Sequence, residues 1–407
     1  MIVSPAELSS RFGYPSGLTR ILDGIVESIE RLIPGRKSLV LSGSIATGDF
    51  VWRETADGVR FLSDIDATLY VSDSAVRDSA GRRDLDEVLS RLEEQISSAL
   101  FHIDLSVQSF GSLSRIENRF QHVEARLAAV VMLGDDVFEE YPESVDARAA
   151  RQSTLANLWK CVLNAPISDS SSDDEAYRMA LSRTILDLPI LVLSEEGKCL
   201  AGHRERSEAF LSRPDAVPLV DDDTRAAVRL GLRMRKDGSA TRVELEKAAL
   251  VSVRAAMRCF GVPAEQVFSA SPEVVRRIEE IVSSRSFRRF LGESRGLLRG
   301  DDGIVSALRW WVRRKEPIGA AALLALFSFI IGGADGEPPS AISDRLSEFS
   351  GGTHIRGSGV EFVAAARRDY WRGRCRLNPS DAAKDQFYSR LLGEEADPLA
   401  KRMDRVA

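Results

Sequence analysis

Cysteine is scarce in this sequence: four residues in 407, at Cys161, Cys199, Cys259 and Cys375. None forms a CxxC pair, so the spacing excludes a recognisable zinc site or disulfide framework. Histidine is as sparse, with His102, His122, His203 and His354 scattered along the chain. Basic charge is not in excess, since Lys plus Arg number 55 against 61 Asp plus Glu, a formal net charge of −6. That balance gives no support for a general polyanion binder but leaves room for a local basic patch able to hold one triphosphate. Long hydrophobic runs are also missing. The most apolar stretch, Ile318 to Gly333, is glycine-flanked and too short for a bilayer span, and reads as a buried helix. The opening MIVSPAELSSRFGYPSG has no basic segment leading into an apolar one, so no signal peptide is expected. A cytoplasmic protein without a membrane partner is the expectation.

What is present suits a folded chain of two or three domains, with 44% hydrophobic residues. Leu18, Ile21, Leu22, Ile25, Ile29 and Leu32 recur at helical spacing, which predicts a helix over 17–33 ended by Pro34-Gly35. Residues 38–42 (SLVLS) read as a short strand, and GSIATGD after it as a small-residue turn. The segment from Asp49 to Asp73 reads as two strands around Asp57-Gly58, a dipeptide favoured in hairpins. A second amphipathic helix is predicted over 84–100, then a strand over 102–110. This order implies an α+β fold: a mixed sheet with flanking helices.

Beyond about residue 145 helical periodicity dominates, with segments at 147–164, 174–195, 203–213, 223–236, 241–260, 272–283, 301–314 and 317–331. The helix at 272–283 has its start marked by Ser271 and Pro272. Residues 167–174 (SDSSSDDE) read as a solvated loop. The expected division is a mixed-sheet domain over 1–145, a mainly α-helical domain over 146–334 and a helical or loop extension over 335–407. No internal repeat is visible.

Three aspartates carry the chemistry. Asp64 and Asp66 flank Ile65 at the start of a strand, so alternation turns both to one face. Asp104 sits mid-strand in FHIDLSV, opposite in facing to Ile103, Leu105 and Val107. If those strands are neighbours, three carboxylates converge, an arrangement tolerable only when protons or cations neutralise it. Carboxylate oxygens select hard ions such as Mg²⁺ or Mn²⁺. Two such ions suit in-line phosphoryl or nucleotidyl transfer. A DxD pair alone is common and often merely closes a turn. Gly43-Ser44 adds weight, because the glycine lets a ligand approach the backbone and the serine offers a hydroxyl and an N–H to phosphate. In isolation that dipeptide is equally at home in an ordinary strand-to-helix turn.

Taken in order, LVLSGSIATGD (39–49), FLSDIDATLYV (61–71) and FHIDLSVQ (101–108) resemble the motifs of the DNA polymerase β-like nucleotidyltransferase superfamily. The resemblance covers roughly residues 17–140. It departs from compact members in the longer gap between Ser44 and Asp64. It implies that Asp64 and Asp66 bridge two Mg²⁺ ions (Mn²⁺ being the alternative), that Asp104 completes the metal site near the attacking hydroxyl, and that Gly43 and Ser44 hold the outer phosphates. The helical half has the order seen in the antibiotic-modifying members, where such a domain shapes the acceptor site. Lys160, beside Trp159, is the first choice for a further triphosphate contact, ahead of Arg178 and Arg183, though each also reads as a plain surface charge. The mixed run Arg309–Lys315 reads as core tryptophans with a solvated basic face.

The expected activity is transfer of a nucleoside monophosphate, AMP from ATP, to a small-molecule hydroxyl such as that of an aminoglycoside-like sugar, with release of pyrophosphate. The acidic balance argues against a nucleic-acid partner. A protein hydroxyl or a second nucleotide as acceptor, or a nucleotide-binding module without turnover, are the alternatives. Oligomeric state is not legible.

Overall fold

The computed structural model describes residues 2–56, 58–72, 84–85, 87–89, 91–92, 101–116, 118, 120–145, 147, 150, 154, 171–214, 219–259 and 261. Helix α1 (Pro5–Phe12) opens with a reciprocal cap: the Ser4 hydroxyl accepts the Glu7 N–H, and the Glu7 carboxylate accepts the Ser4 N–H. Ser-Pro-x-Glu is a helix-start signal, yet this helix was not predicted. Helix α2 (Ser16–Leu32) buries Leu18, Ile21, Leu22, Ile25 and Ile29, the stripe predicted from spacing. Lys37 closes its far end, where the ammonium donates to the Ile33 and Glu30 carbonyls.

Strands β1 (Lys37–Ser42), β4 (Ile65–Val71), β5 (Ile103–Ser109) and β6 (Val130–Gly134) form one mixed sheet in the order β5-β4-β1-β6. β4 pairs parallel with β5, and β1 pairs antiparallel with both β4 and β6. The chain is therefore α+β, with helices on a mixed sheet and a helical region after it. The parallel β4–β5 pair needs a crossover, and residues 84–85, 87–89 and 91–92, which lie along it, are helical. The remainder of the predicted 84–100 helix lies outside the described residues.

Two strands differ from expectation. β2 (Trp52–Thr55) and β3 (Gly58–Phe61) form the predicted hairpin, but as a separate two-stranded ribbon. The run from Gly58 to Val71 is not one strand: the chain leaves the ribbon at Leu62 and enters the main sheet at Ile65. β6 and the helix before it, α4 (Phe120–Ala128), were not predicted. Strand β6 is short, VVMLG, and its pairing with β1 is interrupted by a bulge at Leu39/Val40. The GSIATGD turn contains one helical turn, α3 (Ser44–Thr47).

Alternation splits the sheet into two faces. Leu39 and Leu41 of β1, Ile65, Ala67, Leu69 and Val71 of β4, and Ile103 of β5 join the stripe of α2 in the main core, with Leu105 and Val107 packed beside it. Phe61 bridges Phe50 and Phe101 within that core, with ring centroids 5.7 and 5.4 Å away. On the opposite face a smaller cluster gathers Val40, Tyr70, Leu113, Ala125, Val137 and Tyr141. Arg126 secures the covering segment by donating to the carbonyls of Phe138, Glu139 and Tyr141.

The chain divides into two compact units: Met1–Ala149 with Leu193–Ala209, and Ala150–Val192 with Phe210–Ala407. Leu193–Ala209 belongs to the unit that holds the sheet. Helices α5 (Ser171–Leu186), α6 (Leu188–Glu195) and α7 (His203–Leu211) follow in the chain. In the second unit α5, α8 (Asp222–Asp237) and α9 (Arg242–Cys259) pack on one another. α8 begins with an Asp221–Thr224 capping box and ends at Gly238 in the left-handed conformation. The loop expected over 167–174 is helical from Ser171 onward. Serines and acidic residues suit a first helical turn as well as a loop, so composition did not separate the two. The predicted helices at 272–283, 301–314 and 317–331, the apolar run 318–333, the basic-aromatic run 309–315 and the 335–407 extension lie outside the described residues. Among the described residues no helix is long and apolar enough to cross a membrane.

Candidate active site

The predicted convergence begins with strand register. Asp66 of β4 is the register partner of Asp104 of β5, and Ser42 of β1 is the partner of Asp66 from the other side. Registered residues project to one face, so Ser42, Asp66 and Asp104 form a row across three adjacent strands. The next two rows on this face are Val40–Thr68–Ser106 and Ser38–Tyr70–Gln108. Side chains thus grade from carboxylate at one end of the sheet to the Val40 and Tyr70 cluster at the other. Among the described residues that cluster includes no member of the carboxylate row.

Asp64 lies just before β4, two positions from Asp66 and on the same side by alternation. Asp64, Asp66 and Asp104 are all half-buried. The Ile65 N–H donates to the His102 carbonyl at 2.8 Å, which locks the aligned starts of β4 and β5. Adjacent strands stand about 4.8 Å apart, so the register makes Asp66 and Asp104 lateral neighbours on one face. Their oxygens are the donor chemistry that Mg²⁺ or Mn²⁺ takes. Among the described residues no group of three or more His, Cys, Asp or Glu is set to hold a metal ion.

Gly43 sits between the strand and α3 with φ +66° and ψ −149°. The backbone conformation at Gly43 calls for glycine, and a Cβ there would lie 2.4 Å from Asp66 Oδ2, so the carboxylate approaches the turn closely. Gly43 is therefore placed directly against Asp66 of the aspartate row. The Ala46 and Thr47 N–H groups return to the Gly43 carbonyl at 3.2 Å, and the Asp49 N–H to the Ser44 carbonyl at 2.9 Å. From beneath, the buried Tyr14 hydroxyl donates to the Ile45 carbonyl at 2.8 Å. Burial, followed by the negative charge of Asp49, raises the Tyr14 hydroxyl above its ordinary value and keeps it a donor.

Lys160 lies outside the described residues. Arg178 plays a structural part, its guanidinium donating to the Gly238 and Ala240 carbonyls, each at 3.1 Å, beyond the end of α8. Arg53 and Arg60, which stand directly opposite each other in the β2–β3 ribbon, were not singled out from the sequence. Their signal was the pairing implied by Asp57-Gly58. Asp49 and Glu124 were also missed, because their partners, Gly202 to Arg206, are remote in sequence.

The geometry defines the protein as an α+β chain with a carboxylate row beside a glycine turn. No protein-family model matches the chain, and no curated protein matches it. The likeness to the DNA polymerase β-like superfamily therefore rests on the three motifs themselves.

Proposed function

We propose that this protein is a divalent-metal-dependent nucleotidyltransferase that moves a nucleoside monophosphate, AMP from ATP, to the hydroxyl of a small-molecule acceptor. The observation that carries the reading is the in-register row Ser42–Asp66–Asp104, with Gly43 closed against Asp66. Asp64, Asp66 and Asp104 would hold two Mg²⁺ ions. Such ions, when bound, neutralise charge on the phosphates and on the attacking and leaving oxygens. Gly43 lets the triphosphate approach the backbone, and Ser44 offers it a hydroxyl and an N–H. Asp104 accepts the proton of the acceptor hydroxyl as its oxygen attacks the α-phosphorus. The α–β phosphoanhydride bond breaks, and pyrophosphate carries away the bonding pair.

The acidic net charge favours a small acceptor over a nucleic acid. A protein hydroxyl or a second nucleotide uses the same chemistry. A second reading is nucleotide binding without turnover. Pyrophosphate release separates the two. The full chain is incubated with each NTP and Mg²⁺, with aminoglycosides, with a second nucleotide, or alone to detect self-modification. Pyrophosphate in any arm supports transfer. NTP binding without pyrophosphate in every arm overturns transfer in favour of the binding module.

A further inference from the structure

Asp49 follows the glycine turn directly, yet its carboxylate is bound far along the chain. Its Oδ2 accepts the backbone N–H of His203, in a short contact, and that of Arg204 at 3.4 Å. These are the first two residues of α7. Thr47 Oγ1 donates to the same oxygen at 3.4 Å. Gly202 completes the fit. It is buried, has φ +81°, and a Cβ there would lie 2.6 Å from Asp49 Oδ2 and 3.0 Å from Thr47 Cβ. Glu124 of α4 holds the same segment from another direction. It accepts the Gly202 N–H at 3.1 Å and forms a short ion pair with Arg206, whose side chain is 3% exposed. Arg206 also donates to the Leu200 carbonyl at 3.2 Å and lies over the Phe120 ring.

All these groups belong to the sheet-bearing unit. Capping explains the contact from the side of α7, because a carboxylate satisfies its first N–H groups. Neither Ala201 nor Gly202 carries a side-chain acceptor, and Gly202, at φ +81° with Asp49 against it, has no room for one, so the cap comes from the residue that follows the glycine turn. The remote cap joins two segments, and the segment it restrains is Gly43–Gly48.

We propose that Asp49 is a positioning residue: by tying the Gly43–Gly48 turn to the start of α7, it sets where Gly43 and Ser44 meet the triphosphate. This inference rests on the nucleotidyl-transfer reading for its ligand, but not for the tie itself. Asp49 touches no reacting atom. Its loss allows the turn to shift away from the phosphates while Asp64, Asp66 and Asp104 stay in register on their strands. The effect therefore falls on nucleotide affinity more than on the chemical step.

The test compares full-length wild type with Asp49→Ala and with the isosteric Asp49→Asn, each checked for folding by circular dichroism. Two quantities are read: KM and kcat for Mg·ATP in pyrophosphate release, and amide hydrogen exchange over residues 43–50. In Asp49→Ala, KM is expected to rise about tenfold or more, the scale of one charge-assisted hydrogen bond, with kcat within about threefold of wild type. Exchange over 43–50 is expected to rise while exchange over β1 and β4 is unchanged. Asp49→Asn gives a smaller change in the same direction and serves as the test if the alanine variant does not fold. Unchanged exchange over 43–50 in a folded variant overturns the tie. An unchanged KM, or a fall in kcat without a rise in KM, overturns the positioning role. If wild type neither binds nor turns over any NTP while exchange rises as expected, the nucleotidyl-transfer reading fails and the tie stands.

Discussion

Asp66 and Asp104 are register partners on parallel strands, so two carboxylates of like charge stand side by side at one end of the sheet. Carboxylates so placed repel each other, a cost that a shared cation would remove. Asp66→Asn is expected to lose turnover by several orders of magnitude with the fold intact, as read by pyrophosphate release and circular dichroism. A rate near that of wild type would sink the assignment.

The same relationship predicts metal-linked stability. A ligand that binds only the folded state raises the melting temperature with its concentration. Millimolar Mg²⁺ or Mn²⁺ is expected to raise Tm in the wild type and to leave Asp66→Asn/Asp104→Asn unmoved in differential scanning fluorimetry. Equal shifts in both proteins would place the ion elsewhere.

Gly43→Ala tests the close approach of strand and turn. The substitution forces a Cβ into φ +66° and toward the Asp66 carboxylate. Strain of this kind costs roughly 1–3 kcal/mol, measurable as a lower urea midpoint. Activity is expected to fall well beyond what that loss of stability accounts for, because the displaced group is a site aspartate.

Tyr70 and Tyr141 share a buried hydroxyl contact of 2.5 Å on the same face as the aspartate row, at its other end. Burial raises both phenols above their ordinary values. Removing one hydroxyl leaves the other buried without this partner, at a cost of about 1–3 kcal/mol. Tyr141→Phe alone is therefore expected to destabilise more than Tyr70→Phe/Tyr141→Phe. Additive losses across the double-mutant cycle would mean that the two hydroxyls do not act as a pair.

Cys199 gives a pH signature. Burial first, and the charge of Glu124 next, push its thiol up to about 11 from an ordinary value near 9. The folded state therefore holds this proton across a window in which the unfolded chain has released it. The contribution to stability is complete below about pH 9 and declines as pH rises toward 11. In a chain whose other cysteines are replaced by serine, alkylation by iodoacetamide is expected to be slow at pH 8 and to keep accelerating up to about pH 11. A rate that levels off near pH 9 would contradict the burial.

Periodicity made much of the architecture readable. The stripe from Leu18 to Leu32, the apolar run Ser38–Ser42 and the alternation through Asp64–Val71 and His102–Phe110 each report a local repeat, 3.6 or 2 residues, that the backbone must obey. Alternation alone placed Asp64 and Asp66 on one face and turned Asp104 away from Ile103. Short elements were less legible. Val130–Gly134 has too few residues to display a period, and Pro5–Phe12 was overlooked despite its Ser4–Glu7 cap.

Sequence by itself determined which side chains share a face and which residue types could hold a hard cation or a phosphate. Only the tertiary structure decided that β4 and β5 are parallel neighbours with Asp66 opposite Asp104, that Gly43 closes on that row, and that Asp49 caps a helix beginning at His203. The division has a physical cause. Facing is set by the dihedral repeat of one strand. Register, close approach and remote capping arise from hydrogen bonds between segments whose separation along the chain carries no periodic signal.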